Sequence, residues 1–169
     1  LHLTVQSGSN KILTKMKRNY SRETYIEVIE KLVRARPNIK ISSDFIVGFP
    51  GETDHDFQQT MDLIDEVKFD ASFSFIYSAR PGTPASKLAD TTPISEKKER
   101  LNTLQARIDE LQTYYSNSLA GTIQRCLVTG VSKKNINQLQ ARTECNRVVN
   151  FDFQNINILG KLVDINITQ

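Results

Sequence analysis

The residues best suited to chemistry lie in one glycine-rich stretch, Asp44–Thr53. Residues 45–47 have the aromatic and β-branched composition of a buried strand. Two glycines and a proline at 48–51 then break regular structure, and Thr53 precedes acidic residues as at the start of a helix. A strand, a glycine-rich turn and a helix in this order bring backbone N–H groups close to a ligand, but many such turns contain glycine only for their shape. Both interpretations stay open at this point.

Two more polar loops follow predicted strands. The first is residues 6–9, after an alternating segment at 3–5, and the second is residues 78–85, after an alternating aromatic segment at 69–77. The order of these elements is β-α-β-α-β, which predicts parallel strands with helices packed outside them. Because the carboxyl ends of parallel strands share one face, the three loops indicate a ligand-binding face. The predicted elements are a strand at 3–5, a short helix from Ser9 or Asn10, a helix at 21–36, a strand at 39–47, a helix at 53–67 and a strand at 69–77.

The remainder of the chain changes character after one long helix. Leucine and isoleucine recur at spacings of three and four over the helix predicted at 95–119. We therefore expect two domains, residues 1–119 and residues 120–169, and the second ends just after a strand, as a truncated domain would. Short β-rich segments in the second predict a small barrel or sandwich; they are residues 123–131, 138–143, 147–151 and 161–167.

Composition narrows the class of protein without deciding its function. The 169 residues include 22 Lys and Arg and 19 Asp and Glu; residues 1–40 carry nine bases against three acids, whereas residues 41–93 carry three against nine. Such a partition is compatible with a polyanionic partner and does not require one. We find no apolar run of membrane-spanning length and no signal-peptide pattern, and therefore predict a soluble, cytoplasmic protein without a membrane partner. Neither His2 nor His55 lies in a pattern that assigns it a catalytic role.

Four motifs together resemble one enzyme family. They are residues 3–9 (LTVQSGS), 16–20 (MKRNY), 44–53 (DFIVGFPGET) and 77–85 (YSARPGTPA). Their order and spacing resemble those of the radical S-adenosylmethionine methylthiotransferases, and residues 141–151 (ARTECNRVVNF) resemble the TRAM domain that ends these enzymes. This last motif is most similar to the tRNA-modifying MiaB branch, although Phe153 stands where we expect a glycine.

The resemblance implies a fold and an activity. The expected fold class is α/β: the C-terminal part of a partial TIM-like (β/α) barrel, followed by a small TRAM, OB-like β-barrel. The expected enzyme adds a methylthio group to C2 of an isopentenylated adenosine beside the tRNA anticodon. Its expected cofactors are S-adenosylmethionine and two 4Fe–4S clusters, and its expected partners are the tRNA anticodon stem-loop and an electron-donor protein.

The cysteines that such clusters require are not in this sequence. A 4Fe–4S cluster needs a tight array of thiolates, and the only two cysteines, Cys126 and Cys145, are far apart in the β-rich tail. The chain also opens directly in a strand pattern. We therefore interpret it as the C-terminal portion of the enzyme, with no metal ligand and no catalytic residue of its own, and we expect it to be inactive alone.

The resemblance assigns seven residues to the S-adenosylmethionine site: Gln6, Ser7, Asp44, Gly48, Gly51, Glu52 and Arg80. The amides of the glycine loop would meet the adenine or the ribose, and Gln6 and Ser7 would bond the ribose or the methionyl amine. Arg80 offers a planar, permanently charged fork for a carboxylate or a phosphate. Structural roles are the alternatives: a helix-terminus carboxylate for Glu52, an ion pair with a neighbouring strand for Asp44, and a salt bridge for Arg80.

Four basic residues of the tail are the ones expected to bind RNA: Lys133, Lys134, Arg142 and Arg147. Small β-barrels that bind looped or single-stranded RNA combine such cations with faces on which bases stack. A target base must be unstacked to reach the mouth of the barrel, so stacking groups are expected there as well. Ordinary surface charge is the alternative interpretation of these four residues.

Two other functions stay open. One is the related methylthiotransferase that modifies an aspartate of a ribosomal protein, and the motif at 142–151 favours an RNA substrate over it. The other is a non-catalytic RNA-binding module built on the tail. Such a module has no need of three ligand loops on one face, and an upstream three-cysteine motif in the natural gene would support the enzyme instead.

Overall fold

A computed structural model describes residues 1–152 and 156–168 of the chain, so Phe153 lies outside the described residues. The chain forms two compact units, Leu1–Thr113 and Tyr114–Gln169. The domain boundary that we expect after residue 119 lies six residues beyond this division and stays a prediction. Each unit is described by itself below.

The helices begin where their capping residues predict. Ser9, Ser21 and Thr53 each accept a hydrogen bond from a backbone N–H in the first turn of the following helix, which satisfies a donor that has no partner within the helix. The helices are α1 Asn10–Lys15, α2 Arg22–Ala35, α3 Asp54–Val67 and α4 Ile94–Asn117. None of the helices in the described ranges is long and apolar enough to cross a membrane.

Two parallel strands, β1 Ser42–Val47 and β2 Ala71–Ile76, form the sheet of the first unit. Residues 2–6 extend beside β1 in the parallel direction, with bridges from His2 to Ser42 and from Gln6 to Phe45. The backbone of this segment, predicted as a strand at 3–5, pairs with the backbone of β1 only at its two ends. The reason is local, because the N–H of Val5 donates to the Ser43 side chain instead of to the backbone ladder.

Helix α2 fixes this first segment against β1. The Tyr25 hydroxyl donates to the carbonyl of Leu3 at 2.8 Å, and the Tyr20 hydroxyl, just before α2, donates to the carbonyl of Thr4 at 3.2 Å. Burial raises the pKa of Tyr25 to about 12, so its hydroxyl remains a hydrogen-bond donor at neutral pH. The segment therefore takes its position from α2 as well as from β1.

The core of the first unit lies on one face of the sheet. Phe45 and Val47 of β1 are fully buried among apolar side chains of α2, α3 and α4. Because side chains alternate along a strand, Asp44 and Ile46 lie on the opposite face, where β2 places Phe73 beside Asp44 and Phe75 beside Ile46. We call this the open face; it consists of His2, Thr4, Ser42, Asp44, Ile46, Phe73 and Phe75.

The second unit is a four-stranded antiparallel sheet of β3 Ile123–Val131, β4 Gln138–Thr143, β5 Val148–Asp152 and β6 Leu162–Asn166, which lie in the order β5-β4-β3-β6. Its buried core is small and includes Cys126, Val128, Leu139 and Ala141, against which Phe151 packs. The strands agree with the predicted β-rich segments to within a residue or so. An α/β unit followed by a small β domain is the fold class that the sequence predicts.

Candidate functional site

The three predicted loops meet at the carboxyl ends of the strands. The ring of Phe49, in the glycine loop, packs edge-on against the ring of Tyr77, which follows β2, at 4.9 Å between centroids. The Tyr77 N–H donates to the carbonyl of Val47 at 2.9 Å, and the Ile46 N–H donates to the carbonyl of Gln6 at 2.9 Å. Parallel pairing therefore brings distant parts of the chain to one end of the sheet.

Gln6 occupies a backbone conformation that is rare for its residue type. Its φ of +77° lies in the left-handed region, which glycine adopts freely and other residues seldom do, and the residue is only 7% exposed. Its N–H and carbonyl are both bonded to β1, which holds the strained geometry. A strained backbone conformation persists only where the surrounding structure holds it. Such residues are frequent in binding sites.

Ser7 does not face the other loops. Its side chain is fully buried, its hydroxyl lies 3.3 Å from the hydroxyl of Thr60 in α3, and it accepts the N–H of Ser9 at 3.2 Å. Gly8 lies against the same helix, where its N–H donates to the Thr60 hydroxyl at 2.9 Å. The contacts of Ser7 are therefore those of a residue that shapes its own turn and seats it on α3.

The glycine loop is closed by its own carboxylate. The Gly48 N–H donates to Glu52 Oε2 at 2.7 Å, and the Glu52 N–H returns to the carbonyl of Phe49 at 2.9 Å. Gly48 and Gly51 have φ of +68° and +80°, which only glycine adopts without strain. The amide of Gly48, expected to meet a cofactor, is therefore bonded within the loop.

Glu52 is buried and belongs to an ion-pair network that sequence reasoning missed. Its carboxylate lies 3.0 Å from Nη1 of Arg100, on α4, and the same guanidinium reaches Asp54 at 2.8 Å and Glu96. Burial raises the pKa of Glu52, opposed by the Gly48 N–H and by the charge of Arg100. Only the spacing of Glu96 and Arg100, four residues apart on one helix, signals any part of this network in the sequence.

Asp44 pairs with the neighbouring segment on the open face. Its Oδ1 lies 3.4 Å from Nε2 of His2, and its Oδ2 accepts the Thr4 hydroxyl at 3.2 Å. The other ring nitrogen of His2 lies 3.0 Å from the hydroxyl of Ser42. These contacts join Asp44 to the neighbouring segment, the direction in which its structural alternative expects a partner, while its position keeps it beside the candidate loops.

Arg80 and Tyr77, near the carboxyl end of β2, each carry a polar group without a side-chain partner in the described part of the chain. Residues 80–83 form a β-turn in which the Thr83 N–H donates to the Arg80 carbonyl at 3.2 Å, with Pro81 second and Gly82, at φ +83°, third, as a type II turn requires. Arg80 is exposed, and its guanidinium has no ion pair within the described ranges. The Tyr77 hydroxyl is buried and finds no hydrogen-bond partner among the described residues.

The four tail cations differ in how freely they are held. Lys133 and Lys134 are exposed in the loop after β3. Arg142 is exposed on β4 and donates to the side-chain and backbone oxygens of Asn146 at 2.9 and 3.1 Å. Arg147 is half-buried, and its Nε donates to the Ser116 hydroxyl at 3.0 Å, so it anchors the turn before β5.

The cysteines do not form a cluster site. Cys126 is fully buried in the core of the second unit, and burial raises the pKa of its thiol. Cys145 is partly exposed and lies 3.1 Å from the Thr143 hydroxyl. Across residues 1–152 and 156–168, no three His, Cys, Asp or Glu side chains are arranged to hold a metal ion. An iron–sulfur cluster therefore does not fit the residues that the structure describes.

Comparison with known proteins identifies both units. Residues 1–64 match the Radical SAM superfamily and residues 117–169 match the TRAM domain. Over 168 residues, 99% of this chain, the sequence is 58% identical to the tRNA-2-methylthio-N(6)-dimethylallyladenosine synthases of Erwinia tasmaniensis and Histophilus somni. The chain belongs to the radical S-adenosylmethionine methylthiotransferase family. A further member, from Legionella pneumophila, is 55% identical over the same length.

The chain spans about a third of the length of these family members, 35% of the first two and 37% of the third. The matched 168 residues nevertheless include both units. Membership of the methylthiotransferase family therefore rests on the radical SAM unit and the TRAM unit together, and not on either one alone.

Proposed function

We propose that the chain is part of a tRNA methylthiotransferase that adds a methylthio group to C2 of an isopentenylated adenosine beside the anticodon. The observation that carries this proposal is the 55–58% identity to enzymes named for that product, which extends over 99% of the chain. It favours RNA over a protein aspartate as the substrate. The same substrate class would place the protein in the cytoplasm.

The end of the sheet fits S-adenosylmethionine in its donor set. Arg80 offers a charged fork to the methionyl carboxylate, and the buried Tyr77 hydroxyl, which finds no partner among the described residues, could bond a polar group of the ligand. Gln6, held in a strained conformation by β1, and the Gly51 region of the loop complete this end. Bound S-adenosylmethionine would supply the methyl group and the radical chemistry, while these residues orient it and exclude water.

Three of the other predicted residues, Gly48, Glu52 and Ser7, hold the loops of this site in place. Glu52 closes the loop through Gly48 and ties it to α4 through Arg100, and Ser7 seats the first loop on α3. We propose that the two 4Fe–4S clusters of the family, which an electron-donor protein would reduce, are held by thiolates other than Cys126 and Cys145.

The tail would bind the phosphates of the anticodon stem-loop. Lys133, Lys134 and Arg142 are exposed, so their charges are available to a polyanion, whereas Arg147 contributes mainly by holding its turn. Each neutralised phosphate releases condensed counterions, so affinity for RNA must fall as salt rises. A TRAM unit with these cations supports an RNA partner, in agreement with the names of the relatives.

The test is binding of the full chain to an anticodon stem-loop across a salt series. We expect affinity to fall as salt rises. The triple variant Lys133→Gln, Lys134→Gln, Arg142→Ala should lower affinity about tenfold or more, and it should reduce the slope of log K against log salt concentration by about two to three. The control is Lys98→Gln, an exposed lysine of α4 in the first unit, which should change neither quantity. Binding that ignores salt, or that survives the triple change unaltered, would contradict the RNA role of the tail.

A further inference from the structure

The open face exposes two aromatic rings that the proposed cofactor site does not use. Phe73 is 64% exposed and Phe75 is 57% exposed, although both lie within β2. Alternate residues of a strand project from the same face about 7 Å apart, so the two rings are neighbours in an apolar strip along β2. Ile46 of β1 lies directly beside Phe75 and extends the strip across the sheet.

A polar cluster borders this strip and gives it an amphipathic character. The ring of His2 meets the ring of Phe73 edge-on at 6.1 Å between centroids, and Asp44 is the cross-strand neighbour of Phe73. The cluster of His2, Asp44, Thr4 and Ser42 carries donors and acceptors within bonding distance of one another. A ligand on this face would therefore meet aromatic carbon on one side and hydrogen-bonding groups on the other.

We infer that the open face receives the target nucleoside, with Phe73 and Phe75 selecting an adenine that carries an apolar N6 substituent. Phenyl rings stack on any base and have no polar group to satisfy, so an alkyl arm adds buried apolar area without a penalty. The cluster around His2 and Asp44 would meet the ribose or the edge of the base. This inference rests on the proposed function, and the face is continuous with the candidate site through Asp44 and Gln6.

Three observations favour this occupant over a protein partner. The strip is narrow, two rings and one aliphatic side chain, which matches a base with a five-carbon arm rather than a protein interface. Its border is polar and ionisable, as a nucleoside requires. The relatives are named for dimethylallyladenosine, a nucleoside that combines these two characters.

The experiment compares two nucleosides on the full chain. N6-dimethylallyladenosine and adenosine are titrated while NMR follows the imidazole signals of His2 and the phenyl signals. We expect the prenylated nucleoside to bind about tenfold more tightly, because a few additional methylene groups are buried. Phe73→Ala with Phe75→Ala should bring the ratio close to one, and Phe73→Leu with Phe75→Leu should keep part of it. Val33→Ala removes an exposed apolar side chain from α2 and should leave the ratio unchanged.

The possible outcomes separate this inference from the proposed function. Equal affinities, no detectable nucleoside binding, or a ratio that survives both phenylalanine variants would overturn the inference, even if stem-loop RNA still binds the tail. A preference for the prenylated nucleoside without any stem-loop binding would uphold the inference and remove the RNA role of the tail. A dimer that forms through the open face and disappears in the alanine variant would assign the face to a second copy of the chain and overturn it too.

Discussion

The two units use charged residues in opposite ways. In the first, Arg100 and Lys97 are buried, and each is paired: Arg100 with Glu52 of the glycine loop, and Lys97 with Asp90. In the second, Lys133 and Lys134 lie in solvent, and neither has an ion pair within the described ranges. A buried charge must be paired and therefore determines geometry, whereas an exposed charge remains available to a ligand. Burial thus separates the residues that shape a site from those that contact a partner.

Replacing one arginine of each unit by methionine should give the largest difference in stability between the two units. Arg100→Met leaves the buried carboxylate of Glu52 without its partner, and we expect it to lower the free energy of unfolding by about 3–5 kcal/mol. The measurement is urea unfolding followed by circular dichroism at 222 nm. That signal reports mainly the first unit, because α1–α3 lie within it.

Arg142→Met is the matched change in the second unit. Its guanidinium is exposed and bonded only to Asn146 among the described contacts, so we expect a change in stability within about 0.5 kcal/mol and a loss of RNA affinity instead. If both variants lost the same stability, burial would not be what distinguishes the two units. If the folded Arg100→Met protein lost RNA affinity and the Arg142→Met protein did not, the structural role of Arg100 and the RNA-binding role of Arg142 would be reversed.

Two glycines, Gly8 in the first unit and Gly130 in the second, test the same difference between a packed and an open position, here in the backbone. A Cβ on Gly8 would lie 2.3 Å from the carbonyl oxygen of Gln59 and 2.6 Å from Cα of Thr60, so Gly8→Ala must push the first loop away from α3. We expect a loss of about 2 kcal/mol in the free energy of unfolding, as overpacking a core does. Gly130→Ala meets no heavy atom within 4 Å and should change stability by less than about 0.5 kcal/mol. An unaffected Gly8→Ala protein would mean that the loop is not seated on the helix.

The sequence predicts what local chemistry controls. Capping residues and apolar periodicity act within one or two turns, so the starts of α1, α2 and α3 and most of the strands follow from them. Gly48 and Gly51 are likewise predictable, because their turn requires left-handed φ. The clustering of three loops at one end of the sheet follows from the parallel order of the elements.

Contacts between distant parts of the chain are what the sequence does not reveal. Nothing in the spacing of Glu52 and Arg100 indicates that they meet, nor that Ser7 turns toward α3. The aromatic alternation at 69–77 predicts a strand but not which rings are buried. Phe69 is fully buried, whereas Phe73 and Phe75 are exposed. These facts depend on which surfaces the helices cover, and tertiary packing decides that.

The smallest expected difference is in the pH dependence of stability, and it is measured with one aspartate in each unit, Asp56 and Asp152. Burial alone would raise the pKa of Asp56, but hydrogen bonds from Lys11, Thr53 and Ser9 outweigh it and hold that pKa well below its usual value. A carboxyl whose pKa is depressed by folding stabilises the protein above its unfolded pKa of about 4, and this contribution is lost as pH falls below that value. Asp56→Asn removes the charged acceptor of these hydrogen bonds and should cost about 2 kcal/mol at pH 7.

The difference between the Asp56→Asn and unchanged proteins should shrink steadily from pH 4 downward, because Asp56 of the unfolded chain then binds a proton while the folded carboxylate stays ionised, which favours unfolding of the unchanged protein. Urea unfolding at pH 7, 4 and 3 measures this difference. Asp152, an exposed aspartate of β5 that accepts one bond from Gln138 at 3.1 Å, supplies the control. Asp152→Asn should give a small difference at every pH. A cost for Asp56→Asn that stayed constant down to pH 3 would mean that Asp56 acts through the shape of its side chain and not through its charge.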